Sequence, residues 1–282
     1  MEIRTVCVLG VGTIGYQIAQ QAAMSGFVTR LRDIDQRLID NGLGRIRGGL
    51  QSHYVQKGKM TEAQMEEVMQ RLSGTVDLKK ALEDADLVIE SIPPDLEMKK
   101  QVFKELDERS PSHTILASNT SNMSITEIGS LTKRQDKVIG THFFNPVQVM
   151  KLIEIVKGAH TSDNTVRSII EFAGKLKKET VVINDFPGFI CSRITNVMIN
   201  EAVKILHEGI ATAEEIDKAM RLGLNHPVGP LQIADINLEV SLHGLEYLHR
   251  ELGENYRPCP LLKKMARAGL LGKKTGKGFY TY

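Results

Sequence analysis

Two hydrophobic rhythms alternate over the first two thirds of the chain. Short runs rich in Val, Ile and Leu fall at Thr5–Leu9, Val28–Arg32, Leu87–Ser91, Thr114–Ala117, Val138–His142, Leu152–Val156 and Thr180–Ile183. Each predicts a strand. Between them, Ile14–Met24, Leu38–Gln56, Glu62–Leu72, Leu96–Arg109 and Val166–Leu176 carry apolar residues three and four apart, which lines one face of a helix. Strands alternating with helices predict a mostly parallel sheet covered by helices. After "NDFPGF" the strand rhythm stops. From Ile190 to Tyr282 only helical spacing remains, in Arg193–Glu208, Ala213–Leu222 and Leu238–Leu252. The segment Asn184–Gly188 is therefore the expected boundary, with an α/β domain at 1–184 and an all-α domain at 185–282.

Composition narrows the partners. At 282 residues the chain has room for two ordinary domains. Lys and Arg number 36 against 34 Asp and Glu, a net charge of +2. Such a balance argues against a nucleic-acid or membrane-surface binder, which concentrates positive charge on one face. Cys7, Cys191 and Cys259 are far apart with no CxxC spacing, so they read as reduced thiols, neither a disulfide framework nor a metal site. No apolar run is long enough to span a membrane, and the strand-like apolar run of residues 1–9 begins directly at Met1, so no secretory leader is expected. The expected location is the cytoplasm.

The first strand runs directly into "GVGTIG", Gly10 to Gly15, which opens the first helix. In this context the three glycines read as a dinucleotide fingerprint of a Rossmann-type domain. Gly10 permits the tight turn, Gly12 lets backbone approach a pyrophosphate, and Gly15 lets helix and strand pack closely. Thr13, Ile14 and the helix N-terminus offer N–H groups and positive potential to phosphates. Asp33 ends the second strand, 18 residues after Gly15, and is placed to accept both ribose hydroxyls. A carboxylate there repels a 2′-phosphate, so NAD is expected over NADP, with Arg30 and Arg32 weakening that preference.

A second group of chemistry-bearing residues lies in "ASNTSNMSITEI", "HFFNP", "MKLIEI" and "DFPGFICSRIT". In an open α/β sheet the working groups gather at the carboxyl ends of the strands. Asn119, Thr120 and Ser121 follow one predicted strand, and His142 and Asn145 follow the next, so both sets are expected to face the cofactor. An imidazole, with its ordinary pKa of ~6.5, can accept and return a proton near neutrality.

These motifs, together with "DLVIESIPPDLEMKK", "LGLNHPVGPLQIAD" and "GKKTGKGFY", resemble the L-3-hydroxyacyl-CoA dehydrogenase family, especially its short bacterial members acting on 3-hydroxybutyryl-CoA. The resemblance covers essentially the whole chain. It implies that His142 takes the proton from the substrate's 3-hydroxyl while hydride leaves C3 for the nicotinamide. It also implies that Glu154 orients His142 and that Ser121 hydrogen-bonds the substrate oxygen. By the same resemblance Glu90, Lys99, Asn119, Asn145 and Lys274 contact the cofactor and an acyl-CoA is the substrate. The apolar helical patterns of the second domain exceed what a small helical domain hides easily, so a homodimer formed mainly through residues beyond Pro187 is expected.

Some positions depart from the family pattern. Ser192 stands where an active-site asparagine is expected, supplying a hydroxyl on a shorter arm. Asn122 follows Ser121 in place of a second serine and is a candidate substrate contact. Pro94 replaces an acid near the cofactor. The family's CoA-contacting serine and lysine fall on Gly49 and about Gln56, leaving Lys57, with Lys59 beside it, as the candidate for the CoA phosphates. Gly49, Gln56 and Ser192 keep open a dehydrogenase for a free hydroxy acid or alcohol. Ser192 and Pro94 keep open a nucleotide-binding protein with weakened catalysis.

Overall fold

The computed structural model describes all 282 residues, which divide into two compact units, Met1–Asp185 and Phe186–Tyr282. The division falls inside the Asn184–Gly188 segment, one residue beyond the expected boundary.

The first unit is one eight-stranded sheet with helices. In chain order it runs β1 (Thr5–Leu9), α1 (Gly15–Met24), β2 (Val28–Arg32), α2 (Gln36–Leu50), α3 (Glu62–Gln70), β3 (Leu72–Thr75), α4 (Leu78–Leu82) and β4 (Leu87–Glu90). There follow α5 (Leu96–Arg109), β5 (Ile115–Ser118), α6 (Ile125–Ile128), β6 (Val138–Phe143), β7 (Leu152–Lys157), α7 (Asp163–Lys175) and β8 (Glu179–Asn184). The strand order is β3-β2-β1-β4-β5-β6-β7-β8. All neighbours are parallel except β6 and β7, so β7 and β8 run against the others. The mostly parallel Rossmann arrangement expected from the alternating pattern holds. Strand order reverses between β1 and β4, which opens a crevice at the carboxyl edge there.

The inner strands are apolar and fully buried: Val6, Val8, Leu87, Ile89, Leu116 and Ile139 have essentially no exposed surface. Burial on both faces is why they read as continuous runs rather than as alternations. Helix α1 adds Ile18, Ala19, Ala22 and Ala23 to this core. Small residues let the helix lie close on the sheet.

Two local readings are corrected. The predicted helix Leu38–Gln56 is α-helical only to Leu50 and continues as a π turn over Gln51–Val55. The predicted helix Glu62–Leu72 stops at Gln70, because the chain enters β3 at Leu72 to pair with β2. Strand β3 carries Ser73 and Gly74, poor strand formers whose extended form comes from that pairing.

The second unit contains α8 (Cys191–His207), α9 (Ala213–Gly223), α10 (Pro230–Ala234), α11 (Leu238–Leu252) and α12 (Pro260–Arg267), and no named strand. Val203, Leu231, Leu238, Leu245 and Leu262 form its core. The short α10 and α12 begin at prolines, which suit a first helical turn, and both are too short to show a periodicity. Two buried carboxylates lock the C-terminal segment. Asp235 accepts from the N–H groups of Phe279 and Tyr280 at 2.9 Å each, and Asp217 accepts from the Tyr280 hydroxyl at 2.8 Å. Gly188 (φ +78°) opens the approach to α8, where a Cβ would lie 2.7 Å from Leu248. No helix is long and apolar enough to cross a membrane.

Candidate active site

The carboxyl ends of β1, β2, β4, β5 and β6 share one edge of the sheet; the glycine turn, Asp33, Asn119, Ser121, Asn122 and Asn145 follow such ends, whereas Glu90, His142 and Glu154 lie within β4, β6 and β7 and Lys99 lies in α5. The glycine roles separate cleanly. At Gly10 (φ +89°) a Cβ would sit 2.6 Å from the Ser91 carbonyl oxygen, and at Gly15 it would sit 1.8 Å from the Gly10 carbonyl oxygen. Those two glycines are required by packing. Gly12 has nothing within 4 Å of an added Cβ and is exposed, so the space over it is open to a ligand.

Helix α1 starts with no side-chain cap and no acid in its first turn. Its first N–H groups and the positive end of its dipole therefore have no carboxylate competing for them. Asp33 braces the same turn: Oδ2 accepts from Val11 N–H and Oδ1 from Ile34 N–H, both at 2.7 Å. Each oxygen keeps a lone pair, enough for a pair of ribose hydroxyls. Open space above Gly12, uncapped N–H groups and a partly exposed carboxylate fit an adenine dinucleotide.

Glu90 and Lys99 lie deeper than a surface contact. Glu90 is fully buried and Lys99 nearly so, with Nζ 2.5 Å from Oε1. Glu90 also accepts from Ile92 N–H at 2.6 Å and from the Ser118 hydroxyl at 2.7 Å. Lys99 donates a second hydrogen to the Ile92 carbonyl at 3.2 Å, which leaves it one of three. The pair thus braces the ends of β4 and β5 from beneath. Asn119 does the same between β4 and β6, donating to the Ser91 hydroxyl at 3.2 Å and accepting from Phe143 N–H at 2.9 Å.

His142 is the penultimate residue of β6 and stands opposite Glu154 in the antiparallel β6–β7 register. Facing positions put both side chains on one face of the sheet. Nδ1 of His142 lies 2.7 Å from Oε2 of Glu154, with the carboxylate 1% and the imidazole 9% exposed. The Phe144 ring packs on the imidazole, with centroids 4.3 Å apart. Position and tautomer are therefore set by a buried charged acceptor and an aromatic wall.

Ser121 and Asn122 sit on the loop between β5 and α6, Ser121 exposed and Asn122 half-buried. Thr120 ties this loop through its hydroxyl to Met123 N–H at 3.1 Å, and Asp185 holds its far end by accepting from Ser124 (2.6 Å) and Thr126 N–H (2.9 Å). After β6, a cis Asn145–Pro146 bond leads into a loop fastened by Lys178, whose ammonium donates to the carbonyls of Val147 and Met150. Burial holds the Lys178 amine below the usual lysine range.

A cavity of about 710 Å³ runs from Gln17 and Asn145 to Arg45, Tyr54, Lys57 and Lys59. The π turn after α2 supplies Ser52, His53 and Tyr54 to its wall. Its cations suit a polyphosphate. In the second unit, Ser192 is half-buried near the start of α8, and the exposed Lys274 pairs with Glu239 at 2.9 Å. Sequence reading passes over Gln17, which is buried and bonds to the Asn145 loop. The one available signal is an amide inside an otherwise apolar helix face.

Comparison with known proteins bears on what this edge does. Residues 5–186 match the family described as 3-hydroxyacyl-CoA dehydrogenase, NAD binding domain, and residues 188–282 match its C-terminal domain. A Bacillus subtilis protein named probable 3-hydroxybutyryl-CoA dehydrogenase is 48% identical over 284 residues, covering 100% of this chain and 98% of that one. The 3-hydroxybutyryl-CoA dehydrogenase of Clostridioides difficile is 46% identical, covering 98% and 99%. Among solved structures, (S)-3-hydroxybutyryl-CoA dehydrogenase from Ralstonia eutropha superposes with a TM-score of 0.96 at 40% identity, covering 100% of this chain and 99% of that one.

Proposed function

We propose that this chain, which belongs to the 3-hydroxyacyl-CoA dehydrogenase family and is an NAD-dependent dehydrogenase, interconverts a short (S)-3-hydroxyacyl-CoA and its 3-oxoacyl-CoA, with His142 as the general base. The observation that carries this reading is the buried His142–Glu154 contact of 2.7 Å, one residue from the end of a strand on the edge that bears the glycine turn. The short acyl chain is supported by the substrates named for the similar proteins.

Gly10, Gly12, Thr13, Ile14, Gly15 and Asp33 hold the dinucleotide, with Lys99, Asn119, Asn145 and Lys274 as further contacts and Glu90 orienting Lys99. When bound, NAD supplies the hydride acceptor. With Nδ1 committed to Glu154, Nε2 is the nitrogen that takes the proton from the 3-hydroxyl. The Glu154 carboxylate stabilises the imidazolium as the proton arrives, and returns the ring to the same tautomer when the proton leaves. Ser121 donates to the substrate oxygen as it changes between hydroxyl and carbonyl. Asn122 and Ser192 are further polar substrate contacts. Lys57 meets the CoA phosphates, with Lys59 and Arg45 adding charge along the same cavity.

In the second unit Ile190, Ile194 and Val197 expose apolar surface at helical spacing at the start of α8. That stripe supports a homodimer formed through the helical unit. The proposed location is the cytoplasm.

Purified protein is expected to oxidise NADH with acetoacetyl-CoA, and His142→Gln to abolish turnover while NADH still binds by fluorescence. No rate above blank with any 3-oxoacyl-CoA rejects the reading. Gly49 and Ser192 favour a second reading, a dehydrogenase for a free hydroxy acid. Free CoA inhibits competitively under the first reading and has no effect under the second.

A further inference from the structure

Gln17 lies in the first turns of α1, only 5% exposed, between the glycine turn and the Asn145 loop. Its Oε1 accepts from the main-chain N–H of Val147 at 2.8 Å. An N–H can only donate, so this bond fixes which end of the amide is oxygen. Nε2 then donates both its hydrogens, to the Thr13 carbonyl at 2.7 Å and to Oδ1 of Asn145 at 2.9 Å. The Gln17 carbonyl in turn accepts from the Gln148 amide at 3.1 Å.

One main-chain donor therefore decides the orientation of two side-chain amides in succession. Asn145 must present Oδ1 to Gln17, which turns its Nδ2 and both hydrogens away from the helix. Asn145 is exposed and lines the 710 Å³ cavity. With the opposite orientation it would offer an acceptor there, which the carbonyl oxygen of a ligand cannot pair with.

We propose that Gln17 is a positioning residue that sets the Asn145 amide with its donor end toward a carbonyl oxygen of a bound ligand. This rests on Asn145 being a ligand contact. Two ligands of the proposed reaction carry such an oxygen, the nicotinamide carboxamide and the amide-rich arm of the acyl-CoA. The shared chemistry is a neutral carbonyl acceptor.

Gln17→Glu tests this with almost no change of shape. The ionised carboxylate still accepts from Val147 N–H but can donate neither to Asn145 nor to the Thr13 carbonyl. Asn145 then rotates to donate into that carboxylate and turns its own oxygen to the ligand. The expected result is a rise of about tenfold in the KM of one ligand, with kcat changed less, since a lost hydrogen bond and a facing lone pair are together of that order. A rise for NADH identifies the carboxamide, and a rise for acetoacetyl-CoA identifies the acyl-CoA arm. In an Asn145→Ala background, the same Gln17→Glu change is expected to move neither KM more than about twofold. Equal costs in both backgrounds mean that Gln17 merely holds the loop, and overturn the proposal. So does an unchanged KM in the single variant. Should Gln17→Glu fail to fold, Gln17→Met passes through the same cycle, with about a threefold KM effect expected only when Asn145 is present. If Asn145→Ala leaves both KM values unchanged, Asn145 contacts neither ligand and the proposal falls, while turnover by the wild type still stands as the separate test of the dehydrogenase reading.

Discussion

Glu154→Gln separates the charge of this residue from its shape. The amide keeps the size of the side chain and still accepts from Nδ1–H of His142 across the 2.7 Å contact. What disappears is the negative charge facing the imidazolium. Two unit charges about 4 Å apart interact by about 4 kcal/mol at an effective dielectric constant of about 20. If roughly half a charge has developed on the ring at the transition state, the loss is about 2 kcal/mol, or about 30-fold in kcat. Both directions slow, because the same proton transfer is crossed each way. KM is expected to stay within about twofold, since in the ground state the imidazole is neutral and keeps a hydrogen bond to residue 154. Stability moves the other way. Glu154 is 1% exposed, and replacing a buried carboxylate by an amide removes a desolvation cost, so Tm is expected to hold or rise. The assay is steady-state NADH oxidation with acetoacetyl-CoA and the reverse reaction, alongside thermal unfolding. A kcat within about threefold of wild type with unchanged Tm would refute the electrostatic role. A matched fall in Tm and kcat would make Glu154 a structural strut.

Further outcomes follow from other parts of the molecule. Lys99→Met leaves the Glu90 carboxylate buried without its cation and is expected to cost about 3–5 kcal/mol in urea unfolding, with Lys99→Met/Glu90→Gln recovering much of it. Asp33→Asn can accept only one of the two backbone N–H groups that Asp33 now holds, so the KM for NADH should rise about tenfold and the preference over NADPH should narrow. Deleting Phe279–Tyr282 strips Asp235 of two N–H donors and a tyrosine hydroxyl, and the second unit is expected to lose cooperative unfolding by calorimetry. Desolvation of the hydroxyl end, which meets buried Asp235 at 3.2 Å while the rest of the side chain is half exposed, pushes the Tyr282 phenol up to about 12. A raised acid contributes stability that is complete below the unfolded value of about 10 and is lost as pH rises toward the folded one. Burial and the Asp217 carboxylate raise the Tyr280 phenol as well, so ultraviolet titration should show two late-ionising tyrosines in this segment, and Tyr282→Phe should remove one of them together with part of the stability loss above pH ~10.

Much of the molecule is local in origin and legible in the sequence. The inner strands announce themselves because a parallel sheet buried on both faces demands continuous apolar runs, and α5 and α11 because their apolar residues keep helical spacing. The glycine turn is a backbone constraint: Gly10 and Gly15 have no room for a Cβ, so the residue type itself reports the packing. Ser121 and His142 are legible by position beside predicted strand ends, but the roles proposed for them, and Glu154 altogether, come only through the resemblance of their surrounding motifs. Tertiary pairing decided the rest. Leu72–Thr75 has no strand signal and becomes β3 because β2 needs a partner at the sheet edge. The antiparallel register of β6 and β7, which brings residues 142 and 154 face to face, is set between strands. Glu90 and Lys99 form a buried pair because β4 and α5 close over them, something a spacing of nine cannot reveal. The orientation of the Asn145 amide is the most remote case. It follows from a single N–H at Val147 acting through Gln17, 130 residues away in the chain, and only the folded backbone puts that donor there.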